Sequence, residues 1–115
     1  EAAEGDRPEA VRRVKEGTEM ITHIVLCRLA DRSPESVRRA AEVLRGLAGK
    51  VPQLRTLEVG VDVLRTERSY DIALTATFDS LEDLQAHQAH PAHQEVVKYM
   101  NRVRDAAVAA DYELS

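Results

Sequence analysis

A chain of 115 residues that is 43% hydrophobic and 31% charged makes one globular domain and excludes a disordered chain. Its net charge of -4, with Lys and Arg interleaved among acids, argues against nucleic acid. A lone cysteine, Cys27, excludes an internal disulfide and suits a reducing cytosol. No apolar run approaches the roughly 20 residues of a membrane span, and no signal-peptide pattern is present. With three Tyr, one Phe and no Trp, the core must be built from Val, Leu, Ile and Ala.

Residues 1–19 are dense in charge, with Val11 and Val14 their only branched apolar side chains. They read as a solvated arm or a short helix starting at Pro8, an extension ahead of a domain that begins at Met20 and runs to residue 115. Met20 to Leu29 is rich in β-branched residues and reads as a strand. His23, Val25, Cys27 and Leu29 share one face, and Thr22, Ile24, Leu26 and Arg28 share the other. Both faces are mostly apolar, so a second subunit is expected to cover one of them.

Ser33-Pro34 supplies an N-cap and a first-turn proline. Val37, Ala40, Ala41, Leu44, Leu47 and Ala48 then recur at helical spacing up to Gly49, predicting a helix over 34–48. Leu54 to Leu64 alternates, with Leu57, Val59, Val61 and Val63 on one face. Tyr70 to Phe78 alternates again, with Ile72, Leu74, Ala76 and Phe78 inward, so the two segments pair as an antiparallel hairpin. Ser80 and Asp83 begin a second helix that carries Leu81, Leu84 and His87 on one face. Pro91 breaks it near His90, and a new helix carries His93, Val96, Val97, Met100 and Val103. Val108 to Leu114 closes the chain as a strand, with Val108, Ala110, Tyr112 and Leu114 on a common face. The order predicts an α+β fold of βαββαβ type, a four-stranded antiparallel sheet with helices on one face.

Three of the four histidines fall in His87-Gln-Ala-His90-Pro-Ala-His93. The spacing of three, broken at Pro91, fans the rings apart, and no nearby Cys completes a zinc set, so no metal and no cofactor is expected. His93 shares its stripe with Val97 and Met100 and points into the covered region, where a neutral imidazole serves as a general base or bonds a backbone carbonyl. His23 orients His93 or a ligand oxygen, or is a satisfied core residue. His90 caps the restarted helix or bonds the break. Cys27 reads as a small core hydrophobe. Tyr70 and Tyr112 lend hydroxyls to a pocket mouth or pack in the core.

Met20-Ile-Thr-His23-Ile-Val-Leu, Thr77-Phe78-Asp79-Ser80, and above all His90-Pro91-Ala92-His93 followed by Val96-Val97 resemble the stress-responsive A/B barrel (Dabb) family, over roughly residues 20–114. The resemblance implies a ferredoxin-like fold that dimerises by sheet-to-sheet packing into an α/β barrel, with a pocket in each subunit between sheet and helices. Family members include plant stress proteins and polyketide cyclases that close a ring by aldol condensation. In the cyclases the second His of His-Pro-x-His is the base, here His93, and a first-strand His, here His23, lines the pocket. A Tyr six residues before the base helps polarise a carbonyl, and this chain has His87 there, an imidazole in place of a phenol.

Two functions follow. In one, the dimer binds a small apolar or polyketide-like ligand, or acts in stress tolerance, without turnover. In the other, His93 abstracts a proton next to a carbonyl while His23 or His87 holds the oxygen. Ile72, Tyr70, Leu84, His90, Val97 and Met100 are the expected ligand contacts.

Overall fold

The computed structural model describes residues 20–113. The charged arm expected at 1–19, and Leu114, lie outside them. The elements are β1 (Ile21–Leu29), α1 (Pro34–Arg45), β2 (Leu54–Val61), β3 (Ile72–Phe78), α2 (Leu81–Ala89), α3 (Pro91–Val103) and β4 (Arg104–Glu113). The strands form one antiparallel sheet in the order β2-β3-β1-β4. This is the ferredoxin-like βαββαβ arrangement, with the helices on one face of the sheet.

The period of two along each strand sorts the side chains. Cys27 and Leu29 of β1 and Ile72, Leu74, Ala76 and Phe78 of β3 face the helices and are buried against Val37, Ala40, Ala41 and Leu44 of α1. Phe78, Leu29 and Ile72 are almost wholly enclosed, and each such side chain contributes about 1.5–3 kcal/mol by leaving water. Among the described residues, no helix packs on the opposite face of the sheet. Leu26 is 37% exposed and its β4 neighbour Val108 51%.

The helix expected over 34–48 ends at Arg45. Past it, Leu47, Ala48 and Lys50 each donate to the carbonyl three residues back, so the chain tightens into short turns. Leu47 stays buried while Ala48 turns outward, and Gly49 takes the left-handed φ of +80° that ends the segment.

The second strand stops at Val61, three residues before the alternating pattern does, and Val63 and Leu64 are 87% and 76% exposed. The cause is Asp71, which is fully buried. Its carboxylate accepts from the Leu29 N–H at 2.8 Å, Arg32 Nε at 2.8 Å and Arg65 Nη1 at 2.9 Å. Bringing Arg65 to that carboxylate pulls the chain out of the sheet after Asp62. Burial pushes the Asp71 carboxyl up, but the Leu29 amide and the two guanidiniums pull harder, and it sits below the usual carboxylate range.

Leu81, expected on the buried face of α2, is 52% exposed because it occupies the first turn, outside the stripe that buries Leu84 and His87. The last strand begins at Arg104, directly after α3 and four residues before its expected start. Its expected apolar face, Val108 and Tyr112, lies on the uncovered side of the sheet.

Candidate functional site

Proline at position 91 organises the site. It has no N–H to donate back, so α2 stops at Ala89 and α3 starts at Pro91, with His90 extended between them at φ -69° and ψ 138°. An unbroken helix would join the Gln88 carbonyl to the Ala92 amide. Here side chains satisfy both groups. His90 Nδ1 accepts from the Ala92 N–H at 3.0 Å, while the Gln88 carbonyl accepts from Gln94 Nε2 at 2.9 Å and from His93 Nδ1 at 3.3 Å.

That last contact sets the chemistry of His93. A carbonyl only accepts, so in the neutral ring Nδ1 carries the proton and Nε2 is the basic nitrogen. Burial lowers the His93 pKa, the Gln88 carbonyl opposes that, and His23 adds to the lowering; the result is below the ordinary histidine value. His93 is therefore an uncharged base at neutral pH.

His87, one turn before the break, is 4% exposed. Its ring lies 5.0 Å from Phe78 and 4.5 Å from His93, centroid to centroid. Its buried Nδ1 has no hydrogen-bond partner among the described residues. Burial first, then His93, His23 and His90, push it down to about 4. On β1, His23 faces Asp111 of β4 across the ladder, and its Nδ1 is hydrogen-bonded to the Asp111 carboxylate. That acceptor fixes the proton on Nδ1 and leaves Nε2 as the acceptor nitrogen of the neutral ring.

The three rings border one cavity of about 290 Å³ between the sheet and helices α1–α3. Its walls are apolar for the most part, from Val25, Leu44, Leu57, Leu74, Val96, Val97 and Met100, with Cys27, Asn101 and Arg104 also on the lining. Among the described residues, no set of three His, Cys, Asp or Glu side chains is arranged to share a metal ion.

The structure thus brings His23, His87, His93, Val97 and Met100 to one cavity. The other expected contacts lie elsewhere. Ile72 and Leu84 are core residues, 1% and 4% exposed, filling the space between sheet and helices. Tyr70 borders a shallow depression on the other side of the sheet with Leu26 and Ala73. His90 is spent on capping α3. Sequence reasoning missed Asp111, Asn101 and Arg104. Aligning β1 against β4 would have found Asp111 opposite His23, and Asn101 follows Val97 by four residues on the same helical stripe, but Arg104 depends on where β4 begins.

The chain belongs to the stress responsive A/B barrel domain (Dabb) family, whose model matches residues 21–114. No curated protein matches it. Among solved structures it is similar to a dimeric protein of unknown function and ferredoxin-like fold from Bacteroides fragilis, at 29% identity and a TM-score of 0.70, covering 82% of this chain and 95% of that one. A dimeric ferredoxin-like protein of unknown function from Thermobifida fusca matches at 26% identity and a TM-score of 0.76, covering 89% and 97%. A hydroxynitrile lyase from Passiflora edulis shares the fold at 20% identity and a TM-score of 0.72, covering 84% and 94%.

Proposed function

We propose that this chain is a homodimeric barrel protein whose pocket binds a small, largely apolar molecule through an oxygen presented to the histidines. The observation that carries the reading is His93: a neutral imidazole, its tautomer set by the Gln88 carbonyl, on the wall of an apolar cavity. Such a site gives a ligand shape-filling apolar contact and a few oriented polar groups. The dimer is supported by the uncovered apolar face of the sheet and by the dimeric descriptions of two structural neighbours.

A second reading, catalysis, is favoured by the His23–Asp111 pair beside His93. A carboxylate that orients one imidazole, next to a second that is already an uncharged base, suits proton abstraction adjacent to a carbonyl. His93 Nε2 takes the proton, and a ring N–H of His87 donates to the oxygen on which charge develops, as in an aldol-type ring closure. His23 makes that bond only in its protonated form, because its neutral ring offers Nε2 as an acceptor. His87 replaces a phenolic donor with an imidazole, so the oxygen contact differs from that of the cyclases the sequence resembles.

Titration with β-keto thioesters and matched ketones, followed by turnover with wild type and His93→Ala, separates the readings. Conversion that falls by roughly 10²-fold or more in His93→Ala establishes the enzyme. Binding without conversion in either protein establishes a ligand carrier. Absence of binding throughout overturns both.

A further inference from the structure

The ladder between β1 and β4 contains one irregularity, and it faces the cavity. Cys27 pairs with Ala107 and Arg28 with Ala106, but Leu29 pairs with Arg104, so Asp105 is an extra residue in β4. Residues opposite one another in a ladder point to the same side of the sheet. In a regular ladder Asp105 would stand opposite Leu29, on the helix side, and Arg104 would project to the other side. The bulge exchanges them. Arg104 joins the cavity lining, while Asp105 lies 3.9 Å from Arg28, whose place in β1 is on the sheet's other side. One inserted residue thereby reverses the sign of the charge offered to the pocket.

Arg104 is also held in place. Its Nε donates to Asn101 Oδ1 at 3.1 Å, which directs the side chain and leaves both Nη groups as donors. It makes no ion pair with a carboxylate among the described residues. Burial pushes the Cys27 thiol up, and the Arg104 charge pulls the other way, which sets that cation close to a second lining residue.

Resting on the reading of this cavity as a ligand site, we propose that Arg104 recognises a carboxylate and that the ligand is an apolar acid, its anionic head at Arg104 and its body along the wall toward the histidines. A guanidinium with two free Nη groups matches the two oxygens of a carboxylate, and this paired contact is stronger than a neutral hydrogen bond. The cavity holds roughly the volume of ten water molecules, which suits a chain of about eight carbons with its head group.

The test is an NMR titration of the full chain with octanoate and with octan-1-ol, in wild type, Arg104→Gln and Arg104→Lys. Wild type is expected to bind octanoate at least roughly ten-fold more tightly than the alcohol, with shifts at His87, His93 and Arg104. Arg104→Gln is expected to lose that preference, and Arg104→Lys to keep part of it. If the alcohol binds in the cavity but the preference is absent, or survives in Arg104→Gln, the assignment of Arg104 is overturned and the ligand site stands. If neither probe shifts the cavity residues, the ligand site falls as well.

Discussion

The rings of His87 and His93 lie 4.5 Å apart at an angle of 55°, one with no partner for its buried Nδ1 among the described residues and the other anchored to a backbone carbonyl. Two imidazoles this close in an apolar setting cannot both take up protons cheaply. The fold therefore holds them neutral.

That arrangement makes stability depend on pH. An unfolded His87 binds a proton near its ordinary value of 6.5, whereas the folded one does so only at about 4. Between those values the unfolded chain carries more protons, so stability rises with pH and the contribution is complete above about 6.5. On acidification it is lost progressively down to about pH 4, by up to roughly 3 kcal/mol from His87. His93, also lowered, adds a loss of the same sign. Urea unfolding at a series of pH values should show this slope, and His87→Leu should flatten it. Because that variant removes an unsatisfied buried nitrogen, it should be at least as stable as wild type near pH 5. A steeper slope in His87→Leu contradicts the account.

Asp71 ties the loop between β2 and β3, which also holds Arg65, to the end of β1 at Leu29 and the loop that follows it at Arg32. Asp71→Ala leaves two guanidiniums and a buried amide without their acceptor. The expected loss is about 3–5 kcal/mol, a large part of the total stability of a domain this small. Thermal unfolding measures it directly. Arg32→Ala and Arg65→Ala should each cost less, because the remaining guanidinium and the Leu29 amide still hold the carboxylate. A loss below about 1 kcal/mol in Asp71→Ala would show that the carboxylate is not what ties the loops.

Leu26 and Val108 sit side by side on the uncovered face of the sheet, on adjacent strands. Burying them against a second copy is the step that closes the proposed barrel. Leu26→Asp and Val108→Asp should each turn the dimer into a monomer in sedimentation, since an unpaired carboxylate is costly in a buried interface. Persistence of the dimer in both variants places the interface elsewhere.

Much of this molecule was legible in its residues. Alternation in Ile72, Leu74, Ala76 and Phe78 assigned the buried face of β3, and Ser33-Pro34, Ser80 and Pro91 marked helix starts, because period and capping are local. His93 was legible as an inward residue from its stripe with Val97 and Met100. The apolar pattern of β4 was misleading for a physical reason: it reports that Val108 and Tyr112 suit a dry surface, not which surface. The small residues Ala107 and Ala109 that face the helix side carry no such signal.

By itself, the sequence determined the order of elements, the proline break and the histidines placed around it, since each depends on residues within a few positions of one another. Only the tertiary structure decided that Asp111 meets His23, that Asp71 gathers two arginines, and that Arg104 rather than Asp105 turns to the cavity. Those outcomes depend on register between strands far apart in the chain, where a slip of one residue exchanges the two faces and leaves no local trace.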